Sequence, residues 1–124
     1  MSDSAGTVVA VWREVAREGA FIRASTRSSD GEWSPSERLS AAAAQLEAPE
    51  IAMDRGGNAV AVWHTWVGGR SAVFAALRRG GTWGAAEEIS APGEASFAAS
   101  VDVQAGRAIV VWAAVEGGFS VIRS

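Results

Sequence analysis

The stretch GNAVAVW, residues Gly57 to Trp63, decides how this chain is read, because it occurs three times. It is preceded by GTVVAVW (Gly6 to Trp12) and followed by GRAIVVW (Gly106 to Trp112). Successive side chains of a strand point to opposite faces, and in Ala59, Val60, Ala61, Val62 and Trp63 both alternating sets are apolar. A strand of that kind has to be covered on both sides. Three copies at nearly constant spacing point to architecture before chemistry.

The self-similarity extends outward from the heptads. Trp12, Trp63 and Trp112 stand 51 and 49 residues apart, and Trp33 in GEWSPSERLS stands 50 residues before Trp83 in GTWGAAEEIS. The closing pair Leu39-Ser40 returns as Ile89-Ser90. Glycine, serine and aspartate clusters divide each period into four short segments, the pattern of strands joined by tight turns. In the middle copy these are A (Pro49 to Asp54), B (Asn58 to Trp66), C (Ser71 to Arg78) and D (Thr82 to Ser90). The A–B turn is DRGG (Asp54 to Gly57), matched by DSAG at Asp3 to Gly6 and more loosely by QAG at Gln104 to Gly106, and glycine supplies the positive φ that a tight turn needs. Segment D carries Glu87-Glu88, or Glu37-Arg38 in the first copy, as suits a solvent-facing edge.

A four-stranded antiparallel unit with an apolar interior and a polar outermost strand resembles the blade of bacterial β-propeller repeats of sialidase-like and WD-like type. The motifs that carry the resemblance are D-x-x-G-[NT]-x-[VA]-x-V-W, and G-x-W leading into a strand that ends in Leu/Ile-Ser. It implies an all-β fold in a single repeat domain, residues 1–124. A partial blade spans 1–40, a complete blade 48–90 and a second partial blade 97–124. Residues 41–47 fall between repeats. About ten strands cannot close a ring of four to eight blades. The expectation is therefore a partial propeller completed by head-to-tail oligomerisation, or a piece of a longer one. The alternative, a β-trefoil, has repeats nearer 40 residues, all complete, whereas the third copy here stops early.

Composition narrows the function classes. With 48% apolar and 20% charged residues the chain has the profile of one globular domain, and a net charge of −3 gives no electrostatic footprint for nucleic acid. All eleven basic residues are arginine, a usage that fits a GC-rich bacterial genome. Cysteine is absent, which removes disulfides, thiolate metal sites and thiol nucleophiles. The apolar run Val8 to Trp12 is too short for a signal-peptide core or a membrane span, so no membrane partner is expected and the compartment stays open.

Sialidase chemistry uses a tyrosine nucleophile, and this chain has no tyrosine. The nearest string to an Asp-box, Ser28 to Trp33, is one residue short and lacks the threonine. No catalytic residue, cofactor or metal site is carried over. The single histidine, His64, excludes a multi-histidine metal site within one chain. Glu87 and Glu88 alternate across a strand and read as a solvated edge. Five of the six tryptophans, at 12, 33, 63, 83 and 112, occupy repeated positions and are expected in blade-to-blade packing. Trp66 has no such counterpart, the matching positions being Val15 and Val115.

Repeat-breaking residues at a loop are where function concentrates, which makes His64, Trp66 and Arg70, around the B–C loop, the candidate ligand contacts. The function expected is a non-enzymatic repeat module that self-assembles through open blade edges and offers loops to a glycan or protein ligand. Two alternatives stand beside it: a fragment or subunit of a glycan-acting propeller hydrolase, and an excised or engineered fragment whose property is self-assembly alone.

Overall fold

Alternating apolar strands punctuated by glycine turns give a chain of antiparallel hairpins. The computed structural model describes residues 6–67, 70–89, 96–104, 107–114 and 120–123, with side chains over 6–66 and 71–89. No helix occurs among the described residues. In chain order the strands are β1 (Val8–Ala16), β2 (Gly19–Arg27), β3 (Glu37–Arg38), β4 (Glu50–Met53), β5 (Ala59–Val67) and β6 (Arg70–Arg79). They continue with β7 (Thr82–Trp83), β8 (Glu87–Glu88), β9 (Ser96–Gln104), β10 (Arg107–Ala114) and β11 (Ser120–Arg123).

These strands form three separate antiparallel meanders, ordered β1-β2-β3, then β4-β5-β6-β7 with β8 also on β6, then β9-β10-β11. The sheets hold three, five and three strands. Segment D differs from a continuous strand: Thr82 and Trp83 stand opposite Arg79 and Arg78 of β6, the Gly84 N–H donates to the Leu77 carbonyl at 2.8 Å, and the ladder then breaks before Glu87 and Glu88 stand opposite Ala75 and Phe74. The A–B turn is laced as its sequence requires. Asp54 Oδ1 accepts from the backbone N–H of Gly56 and of Asn58, both at 2.9 Å, and Gly57 takes φ +88°. The side-chain amide of Asn58 is the largest cause holding the Asp54 carboxyl below its ordinary pKa.

The middle sheet is a filling between the other two. Ala59, Val60, Ala61, Val62 and Trp63 are all buried, as two-sided coverage demands. Register puts Ala59, Ala61 and Trp63 on one face with Ala76 and Phe74, and that face packs on Ala20, Ile22 and Ala24 of β2. Trp63 is 2% exposed and lies nearly parallel to the Phe74 ring at 6.4 Å between centroids. The opposite face gathers Val60, Val62, Val73 and Ala75, and β9 runs across β4, β5 and β6 on that side.

The repeated tryptophans do not share one environment. Trp63 and Trp83 pack in the contact between the first two sheets, Trp83 against Val9 and Met53. Trp33, expected in the core with them, is 51% exposed. The reason is positional. Trp83 opposes Arg78, on the face turned to the first sheet, whereas Trp33 pairs with Arg27 on the outer face of the first sheet. Trp12 shares that outer face and is only half-buried. The side chain of Trp112 lies outside the described residues.

Candidate functional site

The site is organised by residues 41–47, the segment left between repeats in the sequence. This strap crosses from the first sheet to the second. At one end Ala43 exchanges backbone hydrogen bonds with Ala20, at 2.8 and 2.9 Å. At the other, the Glu47 N–H donates to the His64 carbonyl at 2.8 Å, and the Gln45 carbonyl accepts from Thr65 Oγ1 at 2.8 Å and from the Trp66 N–H at 3.3 Å. Leu46 points inward and is buried with Ile22, Ala61 and Trp63. The residues on either side of it, Gln45 and Glu47, are exposed. The strap bends at Ala44 and Gln45, and with its backbone bonded to both sheets it leaves the Gln45 and Glu47 side chains to solvent.

Around the strap lies a cleft of about 440 Å³, bordered by Arg13 and Val15 at the end of β1, Gln45 and Glu47 on the strap, and Trp66 at the end of β5. Arg13 Nη1 donates to the Leu46 carbonyl at 2.9 Å, which pins the guanidinium to the strap. Trp66 is 46% exposed and Val15 72% exposed, so an indole and an isopropyl group form the apolar part of the rim. On the other side of Leu46 an adjoining hollow of about 370 Å³ is lined by the alanines 41–43, Trp63, Phe74 and again Trp66.

Of the three residues singled out in the sequence, His64 and Trp66 come together, with ring centroids 6.1 Å apart and planes tilted by 49°. Arg70 stands opposite Val67 at the closed end of the β5–β6 hairpin, and its side chain lies outside the described residues. His64 is half-buried; burial pulls its imidazole below the ordinary pKa of 6.5, and the Glu47 carboxylate partly offsets this. Sequence reasoning missed Gln45 and Glu47, because an alanine run followed by Gln-Leu-Glu carries neither turn chemistry nor a repeat partner. The signal available for Arg13 was that it occupies the position of His64 in the repeat.

A second polar cluster sits on the outer face of the first sheet. The ring of Phe21, buried despite that position, lies under two guanidinium groups, Arg38 at 3.7 Å and Arg23 at 5.1 Å from its centroid. Glu14 holds Arg23 at 3.0 Å and Glu18 holds Arg38 at 3.1 Å. At the equivalent places the middle sheet has Ala72 and Phe74, so one end of the outer face is adapted to water. Among the described residues no group of three or more His, Cys, Asp and Glu side chains is arranged to hold a metal ion. Set beside protein-family models, curated proteins and solved structures, the chain matches none of them.

Proposed function

We propose that this chain is a non-enzymatic β-propeller repeat module that assembles head to tail with copies of itself and offers the cleft and loops at one end of its sheets to a ligand. The observation that carries the reading is the contrast between repeat mates. Trp33 is half exposed where Trp83 is packed, and Trp12 is half-buried where Trp63 is enclosed. The outer face of the first sheet thus repeats, around Ala10, Trp12 and Trp33, the residues that the middle sheet packs towards the first as Ala61, Trp63 and Trp83. A surface built to the pattern of a covered one is suited to being covered.

The edge of that sheet supports the same reading. β5 is paired on both sides, by β4 and β6, whereas β1, nine residues long, is paired among the described residues by β2 alone. Long apolar edge strands invite pairing with another chain. A head-to-tail contact of this kind closes into a ring when its rotation divides a full turn. The non-enzymatic part rests on the sequence, which lacks tyrosine and cysteine and has one histidine. Light scattering after size exclusion tests the assembly: a mass of several chains is expected, reduced by Trp33→Glu. A monodisperse monomer at high concentration overturns it.

A further inference from the structure

We infer that the cleft bordered by Arg13, Gln45, Glu47 and Trp66 is a binding site for a neutral saccharide; this rests on the binding-module reading but not on assembly, since every lining residue belongs to one chain. Three observations converge. The first is chemical. The rim joins an exposed indole to both kinds of polar group: the Arg13 guanidinium donates only, the Glu47 carboxylate accepts, and the Gln45 amide does both. A pyranose presents an apolar C–H face, which an indole covers well, ringed by hydroxyls that both donate and accept.

The second is availability. The hydrogen bonds made by the strap are backbone ones, and the Gln45 carbonyl rather than its amide meets Thr65 and Trp66. Arg13 uses one N–H on the Leu46 carbonyl, which holds the guanidinium at the strap and leaves four donors for a partner. The opposite charges of Arg13 and Glu47 across the cleft argue against a simple anion or cation as occupant. Its volume of about 440 Å³ is that of a small-molecule site. An extended peptide would instead need a run of backbone partners, and the strap has already committed its own to β2 and β5.

The third is location. The cleft lies where the repeat breaks: Arg13, His64 and Ala113 share one repeat position, and Val15, Trp66 and Val115 another. Packing explains the repeated residues, and it does not require an exposed tryptophan here.

The test is calorimetric titration of the full chain, in whatever oligomeric state it adopts, with methyl glycosides of glucose, galactose, mannose, fucose and N-acetylglucosamine. At least one is expected to bind saturably, and Trp66→Ala and Gln45→Ala are each expected to weaken it by roughly ten-fold or more, the equivalent of one strong contact. Circular dichroism checks that both variants keep the fold, and Arg79→Ala, exposed at the end of β6 away from the cleft, should bind as the parent does. Absence of binding by all five glycosides overturns the inference, as does binding that survives both cleft substitutions or that is lost with Arg79→Ala. A chain that proves monomeric yet binds a glycoside through Trp66 would sink the assembly and leave this site standing.

Discussion

Gly19 offers the sharpest test of how the strap is held. Its φ is +129°, outside the left-handed helical well and in territory that side chains rarely enter. A Cβ placed there would stand 2.7 Å from the Ala43 carbonyl oxygen and 3.1 Å from its carbon, both backbone atoms that cannot turn aside as a side chain could. Gly19→Ala therefore meets two costs. Backbone strain in a glycine-only region is worth roughly 1–3 kcal/mol. Relieving the clash moves the strap and strains the two Ala20–Ala43 hydrogen bonds, each worth about 0.5–1.5 kcal/mol net. The expected loss is about 2–6 kcal/mol.

Gly80→Ala is the matched control, because Gly80 has φ +58° and nothing within 4 Å of the added carbon. Strain alone predicts about 1–2 kcal/mol there. Urea unfolding followed by tryptophan fluorescence, with all samples at one protein concentration, measures both. If the two substitutions cost the same, the strap is not clamped against β2 as described, and the cleft loses its rigid wall.

Three further outcomes follow from the same packing. Trp63→Ala empties the contact between the first two sheets and should cost about 3–5 kcal/mol by the same unfolding assay, and a loss below about 1 kcal/mol would contradict its burial against Phe74. Arg38→Ala uncovers the Phe21 ring and should cost about 1 kcal/mol, more than Glu18→Gln, which removes only an exposed ion pair; a larger effect of Glu18→Gln would show that the pair, not the ring contact, matters. His64 should make stability depend on pH. Its folded-state pKa is below 6.5, so as the pH falls through that value the unfolded chain takes up a proton that the folded chain resists. Stability is then level above pH 6.5 and declines as the pH falls from there towards the folded pKa, and the decline should disappear in His64→Gln. A slope unchanged by that substitution would show that another group titrates.

Much of the fold was legible because it is written in local periodicity. The heptads with both alternating faces apolar named β5 as doubly covered, and the spacing of Trp12, Trp63 and Trp112 set out three successive meanders before any contact was known. Segment D was less legible: beyond the bond from Gly84 to Leu77, Ala85 and Ala86 stay off the ladder before Glu87, and nothing in their composition marks that gap. Of the candidate site, His64 and Trp66 could be found because they depart from the repeat. Gln45 and Glu47 could not, since their importance comes from a strap whose two ends are tied to different sheets.

The amino-acid sequence alone determined the all-β class, the repeat, the order of strands within each sheet and the glycine turns, all of which depend on neighbours within a few residues. Only the tertiary structure decided which of two equivalent tryptophans packs against the core. Trp83 and Trp33 occupy the same repeat position, yet one faces a sheet and the other faces outward. Burial is a property of what lies across an interface, and a strand's own residues carry no record of whether a neighbour is there.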